Sequence, residues 1–282
     1  MTRLLGIAFG ICFAGVAGAE LPGIRRLDGS SISFAEAETF ARDVLRENGV
    51  TGAQIAVIDR GRVVWKRAFG YRRLDPQLPM ETNTNIWAAS ITKSVFATYV
   101  VDHGGISLDV PVAQQLERPL DSFEPYKETA ADLVRDSRWP RVTPRMLLAH
   151  SAGLANFAFL EPDKKMHLHF EPGTSYRYSG EGINLVQFLV ERKKGRPLDA
   201  LMQEAVFGPL GMKSTGMIYR QEFAANVADR YGADGKFIAQ TKRFPARGAG
   251  SMTTTVEDLG RFVEALLARL SQLGATDASK CF

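Results

Sequence analysis

Two apolar β-type runs, Ala53–Ile58 and Val63–Phe69, meet around Asp59-Arg60-Gly61, and that pairing limits the fold more than any other local feature of the chain. Runs rich in Val, Ile, Trp and Phe on either side of a turn tripeptide with Gly predict an antiparallel hairpin. A lone hairpin is marginal in water, so the sequence must supply a cover. Immediately upstream, Ser33 and Glu36 form a capping-box pattern, and Ala37, Phe40, Ala41, Val44 and Leu45 keep helical spacing until Asn48-Gly49. A helix followed by a hairpin therefore opens the folded part of the chain.

Downstream the patterns are mainly helical. Thr143 is placed as an N-cap with Pro144 at the first helical position, and that element is predicted to close near Gly153. Further helices are expected from Ile183 to about Arg192, from Leu198 to Val206, and from a Thr254-to-Glu257 capping box through Leu259, Phe262, Val263, Leu266, Leu267 and Leu270. With 45% of 282 residues apolar, the chain can bury a substantial core. The formal charge of +4 is spread without a Lys/Arg run or aromatic-basic stripe, which argues against a nucleic-acid partner.

The first residues carry a separate signal. Arg3, the apolar run Leu4–Val16 and the small-x-small site Ala17-Gly18-Ala19 predict a cleavable secretory peptide over residues 1–19, hence a periplasmic or secreted protein with no stable membrane span after cleavage. Cleavage removes Cys12 and leaves Cys281 as the only cysteine, so neither an intramolecular disulfide nor a cysteine-based metal cluster is expected.

The chemistry is concentrated in Ser90-Ile91-Thr92-Lys93, at the start of a helix predicted to run to about His103. Positions three apart share a helix face, so the Lys93 amine can approach the Ser90 hydroxyl. A serine needs a base, and a lysine serves when its surroundings depress its pKa. The helix N-terminus adds partial positive charge and unpaired N–H groups where an oxyanion would form. Further on, Pro172-Gly173 makes a turn and Tyr178-Ser179 precedes a helix; a phenol held near a lysine can ionise in part and act as acid or base.

Other constellations compete less well. His150-Ser151-Ala152-Gly153 approaches a nucleophile elbow with Ser151 as nucleophile, but the preceding element reads as a helix rather than a strand, and no histidine follows His169. His150 is expected to be a structural residue. His167 and His169 lack a companion ligand set at metal spacing and are read as surface loop residues. Trp87 lies close enough to Ser90 to border a pocket.

With these landmarks in order, Ser90 to Lys93, His103 to Asp109, Leu147 to Leu154, Phe170 to Tyr178, Pro209 to Met212 and Gly250 to Leu259, the chain resembles the class C β-lactamase-like family, which includes D-alanyl-D-alanine carboxypeptidases and esterases. The resemblance implies an α+β fold of β-lactamase/transpeptidase type: an antiparallel sheet with flanking helices and an inserted helical region at about residues 100–215, all within one domain spanning 20–282. It implies Ser90 as acylated nucleophile, Lys93 as its proton acceptor or electrostatic partner, and Tyr178 as second acid/base. No metal or organic cofactor is implied, and the expected partner is a small molecule or peptide with an acyl group: a β-lactam, a peptidoglycan stem peptide or an ester. Gly180 stands where the family often has an Asn that binds the substrate's acyl-side amide, which moves the expectation from β-lactamase toward esterase or peptidase. The family's third motif, Lys/His-x-Gly on a strand after the long helix, has no counterpart; Lys213-Ser214-Thr215-Gly216 lies too early. The expectation is therefore a domain incomplete at its C-terminus, either a hydrolase or a weak or inactive homologue with a binding or scaffold role.

Overall fold

The computed structural model describes residues 23–272 and Gly274. The expected signal segment 1–19 and both cysteines lie outside these residues, as does nearly all of the segment beyond Gln272.

The opening elements are β1 (Gly23–Arg25), β2 (Ser31–Ser33) and α1 (Phe34–Glu47). The α1 capping box forms as expected: Ser33 Oγ accepts from the Glu36 N–H, and the Glu36 carboxylate accepts from the Ser33 N–H. The hairpin follows as β3 (Gly52–Asp59) and β4 (Arg62–Arg73). Its two-residue turn places Arg60 at φ 49° and Gly61 at φ 77°, the paired left-handed conformation that matches strand twist. A short β5 (Leu78–Pro79) adds to β4, so the sheet has three antiparallel strands in the order β3-β4-β5 rather than two. Leu78–Pro79 is too short to show as a period-2 pattern in the sequence.

Next come β6 (Ile86–Trp87) and α2 (Ile91–His103), then α3 (Ala131–Arg135), α4 (Pro144–Leu148), α5 (Gly180–Lys194) and α6 (Leu198–Met202). The inserted region is thus helical, but between α2 and α5 the helices are single turns joined by irregular chain. Thr143 caps α4 and Pro144 opens it, yet α4 ends at Leu148 rather than near Gly153, because His150 turns left-handed at φ 58°. α5 is capped by Ser179, whose Oγ accepts from the Gly182 N–H, and closed by Gly195 at φ 63°.

The chain ends in β7 (Asp229–Tyr231), β8 (Phe237–Gln240), β9 (Thr253–Thr254) and α7 (Val256–Gln272), and among the described residues no strand follows α7. The α7 cap falls one residue later than expected. Thr255 Oγ1 accepts from the Asp258 N–H, while Thr254 Oγ1 hydrogen-bonds Thr215 and the Glu257 carboxylate is drawn to Lys66 and Thr82. Tertiary partners outcompete the local box.

The apolar core lies in the helical part. Val95, Phe96, Tyr99 and Val100 of α2 pack with Leu185, Val186 and Leu189 of α5, Leu198 and Met202 of α6, and Leu147 and Leu154. The sheet contributes Trp65 and Phe69 to the buried set, and α1 buries no residue fully. One consequence bears on the site: α2, which carries the Ser90 segment at its N-terminus, is the buried central helix.

Candidate active site

β6 pairs antiparallel with β9, Ile86 against Thr254 and Trp87 against Thr253, and this short ladder delivers the chain to Ser90. Ala88 donates its N–H to Met252 O at 2.9 Å. Ala89 then takes φ 45°, a left-handed conformation that costs a residue with a Cβ about 1–3 kcal/mol and persists only where its surroundings enforce it. Enforcement comes from Thr92, whose hydroxyl donates to Ala89 O and accepts from the Met252 N–H. The result is a sharp entry into α2. Ser90 forms no side-chain cap, and its N–H has no partner in the turn that leads into the helix.

Three hydroxyl and amine groups converge there. The Lys93 ammonium, one turn into α2 and 8% exposed, donates to Ser90 Oγ at 3.0 Å and to Ala249 O at 2.5 Å. Tyr178 Oη donates to Ser90 Oγ at 2.7 Å, and Lys93 Nζ lies 4.8 Å from the Tyr178 ring centroid. Burial alone would raise the Tyr178 pKa. The Lys93 ammonium and the Ser90 hydroxyl beside the phenol outweigh that effect and hold it below the ordinary tyrosine range. The structure therefore brings Ser90, Lys93 and Tyr178 together across 88 residues of sequence.

Tyr178 is held from behind by His150. The His150 ring lies 4.7 Å from the Tyr178 ring, and its Nδ1 accepts from the Ser179 N–H at 3.2 Å. Burial, then the Lys93 charge, lower the His150 pKa, which keeps the imidazole neutral and able to accept that bond. Ser151 stands apart from the cluster, its Oγ donating to Met146 O, and His167 and His169 engage separate carboxylates, Asp163 and Glu161.

Gly180 is where steric and chemical needs meet. A Cβ there would lie 2.5 Å from Phe157 Cζ, so the position excludes a side chain. The Gly180 N–H donates to Asn156 Oδ1 at 2.9 Å. A backbone donor fixes the amide's orientation, leaving Asn156 Nδ2 available to the cavity that Asn156 lines.

That cavity, about 760 Å³, runs from Ser90 past Asn156 and Phe157 to Tyr126 and Phe188. Its far wall is the segment 243–251, which the sequence analysis entered only through Gly250. Buried Gln187 of α5 clamps this wall, donating to Ala246 O at 3.1 Å and accepting from the Gly248 N–H at 2.7 Å. Gly248 sits so close to Phe96 that a Cβ would meet the ring at 2.8 Å. Trp87 Nε1 donates to Gly250 O at 2.6 Å, which assigns the Trp87 side chain to the cavity wall. A Gly-Ala-Gly stretch ahead of a capped helix was the one sequence signal for this wall; a glutamine inside an apolar helical pattern carries none.

Comparison with known proteins bears on the family and on the fold. The Beta-lactamase family pattern matches residues 37–280. Esterase EstB of Burkholderia gladioli is 26% identical over 86% of this chain and 72% of its own length. A D-aminopeptidase of Brucella anthropi is 26% identical over 67% of this chain but only 37% of its own. The octameric penicillin-binding protein homologue of Pyrococcus abyssi superposes with a TM-score of 0.65 at 23% identity, over 84% of this chain and 57% of that one, a likeness of fold. The chain thus spans little more than a third of the aminopeptidase and just over half of the Pyrococcus protein. With the pattern matched over most of its length, the chain belongs to the Beta-lactamase family.

Proposed function

We propose that this chain is an acyl hydrolase working through an acyl-enzyme on Ser90, with esters as its first substrate class and D-amino-acid peptides or β-lactams as slower ones. The observation that carries the reading is the bracketing of Ser90 Oγ by Lys93 Nζ at 3.0 Å and Tyr178 Oη at 2.7 Å. Ester preference is supported by the extent of the match to the esterase. The small-x-small pattern at Ala17-Gly18-Ala19 supports export to the periplasm or medium.

In this scheme Tyr178 in its phenolate form takes the Ser90 proton, and the Lys93 ammonium stabilises the anion it replaces. Ser90 Oγ forms a bond to the acyl carbon. The carbonyl oxygen, now an oxyanion, accepts from the Ser90 N–H at the N-terminus of α2, where the helix dipole favours negative charge. Collapse breaks the bond to the leaving oxygen or nitrogen, which receives its proton from Tyr178. Water then gives a proton to Tyr178 as its oxygen bonds to the acyl carbon; collapse breaks the bond between that carbon and Ser90 Oγ, which takes the proton back from Tyr178 while the free acid leaves. Asn156 Nδ2 supplies an amide donor to the substrate from the neighbouring loop.

The test is intact-mass analysis and peptide mapping after exposure to a fluorophosphonate and, separately, a penicillin. A single adduct on Ser90, absent in Ser90→Ala, is expected. A folded sample that stays unmodified by both reagents would overturn the catalytic reading in favour of a binding or scaffold role.

A further inference from the structure

His150 holds Tyr178 by more than ring contact. Its backbone oxygen accepts from the Arg177 N–H at 2.8 Å, and its Nδ1 accepts from the Ser179 N–H at 3.2 Å. Both amides that flank Tyr178 are therefore carried by one residue. His150 does this from a φ of 58°, a left-handed conformation that Asn and His adopt more readily than most residues with a Cβ. Its ring lies between those of Tyr176, at 5.9 Å, and Tyr178, at 4.7 Å. Ser179 is also the N-cap of α5, so the bond to Nδ1 fixes the joint between that helix and the tyrosine that faces Ser90.

Of the two bonds, only the one to Nδ1 depends on protonation. A neutral imidazole with its proton on Nε2 accepts there; an imidazolium has donors on both nitrogens and turns an N–H against the Ser179 N–H. The groups that face the ring do not welcome that charge. Lys93 of α2 is itself a cation, Tyr176 and Tyr178 present aromatic rings, and the neighbouring Arg177 guanidinium pairs with Glu161 at 3.7 Å. Among the described residues, no carboxylate is hydrogen-bonded to the His150 ring. Burial and the Lys93 charge hold the imidazole neutral, and acid removes that state.

We propose that His150 is a titratable positioning residue: its neutral Nδ1 sets Tyr178 against Ser90, and its protonation releases the tyrosine, so that acid silences the nucleophile through a second proton besides the one on the phenol. The inference rests on the hydrolase reading for its consequence, but not for the coupling of the ring to Ser179.

The rate at which a neutral fluorophosphonate labels Ser90, followed by mass across a pH series, reads activation of the nucleophile. Below the tyrosine pKa the logarithm of that rate should rise by one per pH unit. It should steepen to two below the imidazole pKa, which lies under the ordinary value of about 6.5 and is read by NMR of the ring. His150→Asn puts Oδ1 where Nδ1 stood and tolerates the left-handed φ, so it should label nearly as fast as the parent in mild alkali and keep a slope of one throughout. His150→Phe keeps a ring without an acceptor and should label about tenfold to a hundredfold more slowly, as expected of a misplaced reacting group. In Ser90→Ala protein, the Ser179 amide resonance should move with the imidazole titration. A single slope across the imidazole pKa in the parent overturns the proposal, as does a steepening that survives in His150→Asn or a Ser179 amide that ignores the ring. Ring and amide that titrate together while Ser90 labels at no pH defeat the hydrolase reading alone; labelling without the steepening defeats this one.

Discussion

Ser90, Lys93 and Tyr178 illustrate how far single residues can be read. The three-residue spacing of Ser90 and Lys93 was legible because helix geometry alone puts both on one face. Tyr178 was legible as a type of residue in a loop before a helix, but its 2.7 Å approach to Ser90 is a product of the whole fold. Its depressed pKa gives a pH dependence with a definite sign. The phenolate is the competent base, so kcat/KM should climb with pH through an apparent pKa below the ordinary tyrosine value of about 10. Tyr178→Phe should remove that limb and lower kcat about 10²–10⁴-fold, as a pH-rate profile on a neutral ester will show. Gly180 makes the opposite point. Read from sequence it was a lost substrate contact, whereas in the fold a side chain at this position must displace the Phe157 ring. Gly180→Ala should destabilise by about 1–3 kcal/mol through overpacking. Thermal melts of this variant and of Gly180→Ala in a Phe157→Ala background check the cause, because the second should recover most of the loss.

At the level of elements, α1 with its capping box, the β3–β4 hairpin and the bodies of α5 and α7 were visible as local patterns, whereas α5 begins at Gly180, ahead of the expected Ile183, and α7 is capped by Thr255 rather than Thr254. The segment 243–251 was not visible, because what holds it is distant in sequence: Gln187, Phe96, Lys93 and Trp87. Its clamp can be tested. Gln187→Ala leaves Ala246 O and the Gly248 N–H without their partner, at about 1–3 kcal/mol for a buried polar group left unsatisfied. Hydrogen exchange should accelerate selectively at 246–250, and turnover should fall because Ala249 O no longer fixes Lys93. Protection unchanged at those amides would show that Gln187 is not the clamp. A second junction joins α7 to the segment after α6. The buried Asp258 carboxylate accepts from the Ser214 N–H and the Thr215 hydroxyl and pairs with Arg261. Asp258→Ala should cost about 1–3 kcal/mol, read as a fall in the urea midpoint, since it leaves the Ser214 N–H and the Thr215 hydroxyl without their acceptor.

On the scale of the whole molecule, the Ser90 and Lys93 pair is mounted on a helix buried in the main core, while the three-stranded sheet stands beside that core with β3 as an open edge among the described residues. Phe40 and Val44 of α1 are exposed near the same sheet. An unpaired edge next to exposed apolar side chains favours association. Light scattering of the purified chain should therefore show mass rising with concentration, and Phe40→Lys should suppress the rise. The sequence by itself determined the hairpin and its turn, the caps of α1 and α4 and the helix face shared by Ser90 and Lys93, all consequences of periodicity, turn chemistry and helix spacing, while the α+β class followed from the resemblance to the family. Only the tertiary structure decided that Tyr178 reaches Ser90, that Phe157 claims the space at Gly180, that Asn156 and the 243–251 wall shape the cavity, and that His150 carries both amides flanking Tyr178. Those are contacts between residues tens to more than a hundred positions apart, and they arise from packing and charge in three dimensions, on which no local pattern reports.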